Sequence, residues 1–218
     1  MKLFFALLFI LLLQFPSFAQ NVFTRDISSC EFKSVTFSQV IQALQRKSQD
    51  VDNTKQGFNY VFTGQAQKLM NNKVTVSLTE LSLFEALKYT SMLAKVKLKY
   101  DGNTVICMAP KEKFKEPVIR ESYVRRTPKF LASIKLPLKE LKEEELTINE
   151  LVKIIKNKSK EADSAGKGVN ILSLAGSSQL KQSISLKNVS VYAALRYAAI
   201  AAGVTMKIDR AAIVLGSK

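Results

Sequence analysis

The sequence predicts an α+β fold of two tandem small domains, each with two helices packed on short mixed sheets. Three observations predict it: a segment that recurs at a fixed offset, apolar residues at helical spacing behind capping residues, and short stretches of alternating polarity. A length of 218 residues accommodates two small domains. The hydrophobic share of 47% is typical of a globular rather than a disordered chain.

The amino terminus has the pattern of an export signal. Lys2 precedes an apolar run from Leu3 to Leu13, and Ser17-Phe18-Ala19 supplies the small residues that signal peptidase requires. These 11 apolar residues are too few to span about 30 Å of hydrocarbon as a helix. We therefore expect a signal peptide at residues 1–19, no membrane span after cleavage, and a periplasmic or secreted protein. The alternative is an uncleaved membrane anchor.

An internal repeat divides the rest of the chain. The segment from Leu78 to Tyr89 matches the segment from Leu186 to Tyr197 at an offset of 108, and an upstream match at Gly57 and Gly168 has an offset of 111. The two offsets indicate one duplicated unit in which a loop has changed length. The predicted domains are residues 23–108 and 131–216. The matched aromatic residues Phe84 and Tyr192, and Tyr89 and Tyr197, are expected in the core or at a domain rim.

Each unit is predicted to fold as strand, helix, strand, strand, helix and hairpin. All four helices carry one apolar face, because their apolar residues recur at three- and four-residue spacing. The residues predicted to face the core are Phe37, Val40, Ile41 and Leu44, then Leu83, Ala86, Leu87 and Thr90, then Ile148, Leu151, Val152 and Ile155, and finally Val191, Ala194, Leu195 and Ala198.

Capping residues mark where these helices begin. A capping box satisfies two backbone N–H groups at a helix start, and it requires Ser or Thr followed three residues later by Glu or Gln. The residues with this spacing are Thr36 with Gln39, Ser82 with Glu85, and Thr147 with Glu150. Ser190 is the expected N-cap of the fourth helix, and Gly203 its C-cap.

Alternating polarity predicts the strands. Apolar residues on one strand face are Val74, Val76 and Leu78 in the first unit, and Ile184 and Leu186 in the second. Asp101-Gly102-Asn103 supplies the tight turn of the first closing hairpin. In the second unit Asp209-Arg210 takes that place without a glycine.

The segment 109–130 is predicted to be an extended, basic linker, because it holds Pro110, Pro117 and Pro128 among many charged residues. Its Arg120, Arg125 and Arg126 form the densest arginine cluster of the chain. Arginine binds phosphate and carboxylate in a bidentate manner. A site for an anion or an acidic partner is therefore expected at these three residues.

The composition excludes most enzyme sites. The sequence has no His, which rules out a Ser-His-Asp triad, a Cys-His dyad and a His-bearing zinc site. Its two cysteines cannot form a four-cysteine metal site. The glycines around Lys167 lack the spacing of a phosphate loop. We expect a non-catalytic protein with no cofactor and no metal.

Cys30 and Cys107 have two interpretations. Two cysteines in an oxidising compartment tend to form a disulfide bond. Alternatively, both are buried thiols that act as small apolar residues. A redox motif is not indicated, because the sequence has no C-x-x-C.

Both units resemble the short N-terminal domain shared by secretins and TonB-dependent receptors, the STN domain. The segments that carry the resemblance are KVTVSLTELSLFEALKYTSMLAKVKLKYDGNTVICM at 73–108 and QSISLKNVSVYAALRYAAIAAGVTMKIDRAAIVL at 182–215. The resemblance implies a periplasmic domain that binds protein partners, often by strand addition, within outer-membrane complexes. No barrel or secretin core follows in this sequence, so we expect a stand-alone interaction module rather than a pore or receptor.

Two functions follow for this sequence. The first is a scaffolding module of the bacterial cell envelope that docks proteins on exposed sheet edges, with Val74, Val76, Leu78, Ile184 and Leu186 on the accepting strands. These strands would offer no such edge if they were covered within each unit. The alternative function is binding of a polyanion, either nucleic acid or an anionic envelope polymer, because the formal net charge is +15. A purely structural role in an envelope assembly also fits.

Overall fold

The structure is a computed structural model that describes residues 22–114, 119–121, 132–174, 180–209 and 212–216. Over these ranges the protein is a mixed α+β structure, as predicted. The predicted signal peptide, residues 1–19, lies outside the described residues.

The first half contains seven strands and two α-helices, with short 3-10 turns at Val22–Thr24 and Gln67–Asn71. The strands are β1 (Asp26–Ile27), β2 (Cys30–Thr36), β3 (Asn59–Phe62), β4 (Lys73–Leu78), β5 (Leu81–Ser82), β6 (Lys97–Asp101) and β7 (Thr104–Met108). The helices are α1 (Phe37–Val51) and α2 (Leu83–Ala94).

A short strand in the predicted linker, β8 (Ile119–Glu121), precedes the second half. The second-half strands are β9 (Pro137–Leu146), β10 (Ile171–Leu174), β11 (Gln182–Ser190), β12 (Thr205–Ile208) and β13 (Ile213–Gly216). Its helices are α3 (Ile148–Ala162) and α4 (Val191–Ala202). Because β8 pairs in parallel with β12, part of the segment 109–130 belongs to a sheet rather than to a free linker.

The helices begin at the predicted caps. Complete capping boxes form at Thr36, Ser82 and Thr147, and the Ser190 hydroxyl accepts the N–H of Ala193. Gly203 ends α4 in the left-handed conformation, as predicted. The predicted apolar faces of all four helices are buried. Local pattern therefore determined both the position and the orientation of each helix.

The two halves have the same strand pairing. β2 is antiparallel to β4, as β9 is to β11, and both pairs are interrupted by a bulge at the same position. β7 lies between a parallel β3 and an antiparallel β6, as β13 lies between β10 and β12. The structural repeat therefore extends beyond the residues whose types match.

Left-handed backbone positions recur at the two sequence offsets. At an offset of 111 the matching pairs are Ser34/Glu145, Lys55/Gly166 and Gly57/Gly168. At an offset of 108 they are Glu80/Asn188 and Lys95/Gly203. A non-glycine residue with positive φ is uncommon, because its Cβ crowds the backbone. Their recurrence at residues as different as Ser34 and Glu145 shows that the repeat is one of backbone conformation.

The core consists of two hydrophobic clusters. The first holds residues of the first half alone, whereas the second also includes Val61, Ile106 and Met108 from β3 and β7. A five-stranded sheet in the order β6-β7-β3-β11-β9 joins the halves. The division into two domains stays a prediction, since this sheet and the second cluster both cross the proposed boundary.

Candidate interaction surface

The two halves meet by strand addition. β3 pairs antiparallel with β11, with Val61 opposite Ile184 and Tyr60 opposite Ser185. The other edge of β11 pairs with β9. The prediction that Ile184 and Leu186 lie on an open edge strand is therefore wrong, because β11 is an inner strand and both side chains are buried.

β4, the first-half equivalent of β11, has a different environment. Within the described residues it pairs with β2 alone, so its outer edge lacks a partner strand there. Val74 and Leu78 are buried and Val76 is half-buried on the face toward the helices. Thr75 and Ser77 are exposed between them. Among the described residues, Val74, Val76 and Leu78 thus lie on an edge strand, and partner binding there stays a prediction.

Polar contacts fix the junction of the halves. The Gln45 amide of α1 donates to the carbonyl of Phe58 at 2.9 Å and to the Ser185 hydroxyl at 3.1 Å. The Asn59 side-chain oxygen accepts the N–H of Lys187 at 2.8 Å. Because Gln45, Asn59 and Ser185 are buried, each of these hydrogen bonds satisfies a group that would be costly to leave unpaired.

An ion pair joins the first hairpin to α4. Arg196 Nη1 lies 2.6 Å from Asp101 Oδ2, and both side chains are largely shielded from solvent. The Tyr197 hydroxyl donates to the same carboxylate oxygen at 3.2 Å. Burial raises the pKa of Tyr197, and the Asp101 charge contributes to the rise. The tyrosine therefore acts as a neutral hydrogen-bond donor.

The buried tyrosine of β3 has the same neutral character. Burial and the nearby Glu144 charge raise the pKa of Tyr60 to about 12. The Gln42 amide of α1 donates to Glu144 Oε1 at 2.9 Å across the same junction. The junction is thus held by hydrogen bonds between buried neutral groups, together with the Arg196–Asp101 ion pair and the hydrogen bond from Gln42 to Glu144.

Among the described residues, large apolar side chains are exposed in both halves. On α2 these side chains are Phe84, Tyr89, Met92 and Leu93; on and after β10 they are Leu172, Leu174 and Leu180. The sequence prediction placed Phe84 and Tyr89 in the core or at a domain rim and did not single out Met92 or Leu93. We define the acceptor surface as the outer edge of β4 with Tyr89, Met92 and Leu93. We define the donor surface as the outer edge of β10 with Leu172, Leu174 and Val214.

A shallow cleft of about 370 Å³ lies beside the donor surface. Its lining includes Ile171, Leu172 and Val214, with Lys156 and Asp209 at the margin. A second cleft, of about 530 Å³, lies between the start of β9 and the end of α3. The first cleft thus has mainly apolar walls, whereas Lys139, Glu140, Lys158 and Glu161 line the second.

Both cysteines are buried free thiols. Cys30 lies opposite Leu78 in the β2–β4 pair, whereas Cys107 lies between Phe62 and Leu98 in the other sheet. Of the two interpretations, the structure therefore agrees with two buried thiols and not with a disulfide bond, because the two residues belong to different sheets of one core. Burial raises the pKa of both thiols, which keeps them protonated and unreactive.

The predicted arginine cluster lies almost entirely outside the described residues. The backbone of Arg120 lies in β8 opposite Lys207, and Arg125 and Arg126 fall in residues that are not described. Within the described ranges, no group of three or more Cys, Asp or Glu side chains could hold a metal ion. No helix in these ranges is both long and apolar enough to cross a bilayer.

No family model and no curated protein sequence matches the chain. The resemblance to the STN domain therefore stays a prediction.

Proposed function

We propose that this protein is a non-catalytic scaffolding protein of the bacterial cell envelope, which docks a partner protein on the acceptor surface. The partner supplies an extended strand to the outer edge of β4 and apolar side chains to α2. The predicted export signal and the predicted STN resemblance support the envelope location.

The observation that carries this proposal is the junction inside the chain. There β11 and α4 receive the strand β3, which is strand addition between two repeats. β4 and α2 are the equivalents of β11 and α4 at an offset of 108. They present exposed apolar side chains and an edge that no described strand pairs with. A sheet edge and an adjacent apolar groove are the two features that strand-adding partners use.

A pull-down from gently solubilised envelopes tests this function. We expect the tagged protein to retain a stoichiometric protein partner at low and at high salt, because apolar contacts and backbone hydrogen bonds are weakly screened. Met92→Asp should abolish retention. The matched control is Asn157→Asp, which adds the same charge at an exposed position of α3.

Two results would contradict the proposal. Equal retention by Met92→Asp and by the wild type would show that the acceptor surface is not used. Recovery of nucleic acid or anionic polymer alone, lost as salt rises, would favour polyanion binding, since counterion release makes such binding salt-dependent.

A further inference from the structure

The exposed residues of α2 are the equivalents of residues that α4 buries at the junction. Tyr197 and Ile200 are each 7% exposed, and the carbonyl of Ala201 accepts the N–H of Gly64 just beyond β3. At an offset of 108, Tyr197 corresponds to Tyr89, which is 41% exposed, and Ile200 corresponds to Met92, which is 65% exposed. The acceptor surface is thus a copy of the α4 surface that no described residue occupies.

The exposed residues of β10 have the converse relation to β3. Val61 is fully buried, because it belongs to the hydrophobic cluster of the second half. Its equivalent at an offset of 111 is Leu172, which is 54% exposed. Ile106, also buried in that cluster, corresponds to Val214, which is half-buried. The donor surface is thus a copy of the β3–β7 surface that no described helix covers.

The backbone edges complete the correspondence. At the junction, the outer edge of β3 pairs with the outer edge of β11. In the described part of the chain, the equivalent edges of β10 and β4 have no partner strand. One molecule cannot pair its own β10 with its own β4 in the same arrangement, because its β3–β11 junction already fixes the two halves.

Two of the polar pairs at the junction are preserved at the corresponding positions, and a third is not. Arg196 and Asp101, which form the ion pair at the junction, correspond to Lys88 and Asp209, which keep the two charges. The side-chain acceptor Asn59 corresponds to Asn170. Lys187, whose backbone N–H it accepts, corresponds to Thr79, so an acceptor and a donor are both retained. The hydrogen-bonded pair Glu144 and Gln42 is not retained. Lys33 stands at the position of Glu144 and Lys153 at that of Gln42, so two positive charges would face each other at the rim of the contact.

We propose that the donor surface of one molecule docks on the acceptor surface of a second copy, with β10 adding antiparallel to β4 as β3 adds to β11. Because it names the occupant of the acceptor surface, this assembly rests on the proposed docking function. The two surfaces differ, so the contact is heterologous. Repetition gives a head-to-tail row of molecules, closed into a ring or open as a filament.

Sedimentation velocity of the purified protein tests the assembly. We expect the mass of the wild type to rise with concentration through multiples of the monomer mass. Leu172→Asp and Met92→Asp should each remain monomeric, whereas Asn157→Asp should assemble as the wild type does. Lys153→Gln should shift assembly to lower concentration, because it removes the like charge that faces Lys33.

Mixing the two monomeric variants gives the sharpest result. Met92→Asp retains the donor surface and Leu172→Asp retains the acceptor surface. An equimolar mixture should therefore form a species of twice the monomer mass and nothing larger. Far-UV circular dichroism establishes that both variants are folded. A mixture that stays monomeric, or a wild type that is monomeric at all concentrations, would overturn the inference.

The envelope pull-down separates this inference from the proposed function. If the wild type is monomeric but Met92→Asp still loses an envelope protein, the partner is a different protein and the acceptor surface is confirmed. If the wild type is monomeric and Met92→Asp loses nothing, both proposals fail.

Discussion

Lys95 shows what the duplicated backbone demands of a single residue. It ends α2 with φ 58° and ψ 38°, in the left-handed region, where its counterpart at the end of α4 is Gly203 with φ 67°. This conformation is less favourable by about 1 kcal/mol for a residue with a Cβ. Glycine has no such penalty, because it lacks the Cβ. The two helix ends therefore differ in strain although their backbones coincide.

We expect Lys95→Gly to raise the free energy of unfolding by about 0.5–1 kcal/mol, because it removes the Cβ from the left-handed position. Gly203→Lys should lower it by a similar amount, since an added Cβ there meets nothing within 4 Å and the effect is one of the backbone alone. Urea denaturation measures both. A loss of stability in Lys95→Gly would show that the lysine side chain contributes more than its backbone costs.

Asp52 caps the loop that follows α1. Its carboxylate accepts the N–H groups of Thr54, Gln56 and Gly57 at 2.8–3.1 Å. Partial burial raises the pKa of Asp52, but the hydrogen bonds from Thr54, Gly57 and Gln56 outweigh it and lower the pKa below 3.8. After α3, the Asp163 carboxylate accepts the N–H groups of the equivalent residues Ala165, Lys167 and Gly168.

A lowered carboxyl pKa links folding to pH. Since the folded pKa of Asp52 lies below its unfolded value, its contribution is fully present above pH 3.8 and is lost as the pH falls through the folded pKa. We expect Asp52→Asn to lower stability at neutral pH by about 1 kcal/mol and to flatten the acid limb of the stability profile. Asp50→Asn, at an exposed position of α1, is the control. An unchanged acid limb in Asp52→Asn would contradict the prediction.

At the scale of elements, the helices could be predicted and the sheet partners could not. Thr36, Ser82 and Thr147 cap their helices through contacts three residues away, so the information is local. Strand partners lie far apart in sequence: Ile184 pairs with Val61, and no pattern within either strand specifies the other. The order of elements was therefore predictable, whereas the inner position of β11 was not.

The polar face of β11 shows why its junction was missed. Ser183 and Ser185 are buried against β3 and α1, whereas their equivalents Thr75 and Ser77 in β4 are exposed. A short hydroxyl side chain fits either environment, because it can bond to water or to a neighbour such as Gln45. The residue types of the two strands thus match, and the difference between an occupied and an open edge is a property of the assembled molecule.

At the scale of the whole molecule, the shared sheet couples the two halves. Val61 lies on a strand of the first half, but its side chain is buried in the core of the second. We therefore expect Val61→Ala to lower the free energy of unfolding by about 2 kcal/mol. Both halves should lose stability, so that backbone hydrogen exchange accelerates in α2 and in α4.

Val214→Ala provides the matched control, because it deletes the same atoms from the corresponding outer face of the second half. Val214 is half-buried, as no repeat covers it within one molecule. In dilute protein its substitution should cost less than about 1 kcal/mol. If hydrogen exchange accelerates in only one half of the Val61→Ala variant, the two halves unfold independently. Equal losses from the two substitutions would mean that burial at the junction contributes nothing to stability, because the covered and the uncovered repeat would then be energetically the same.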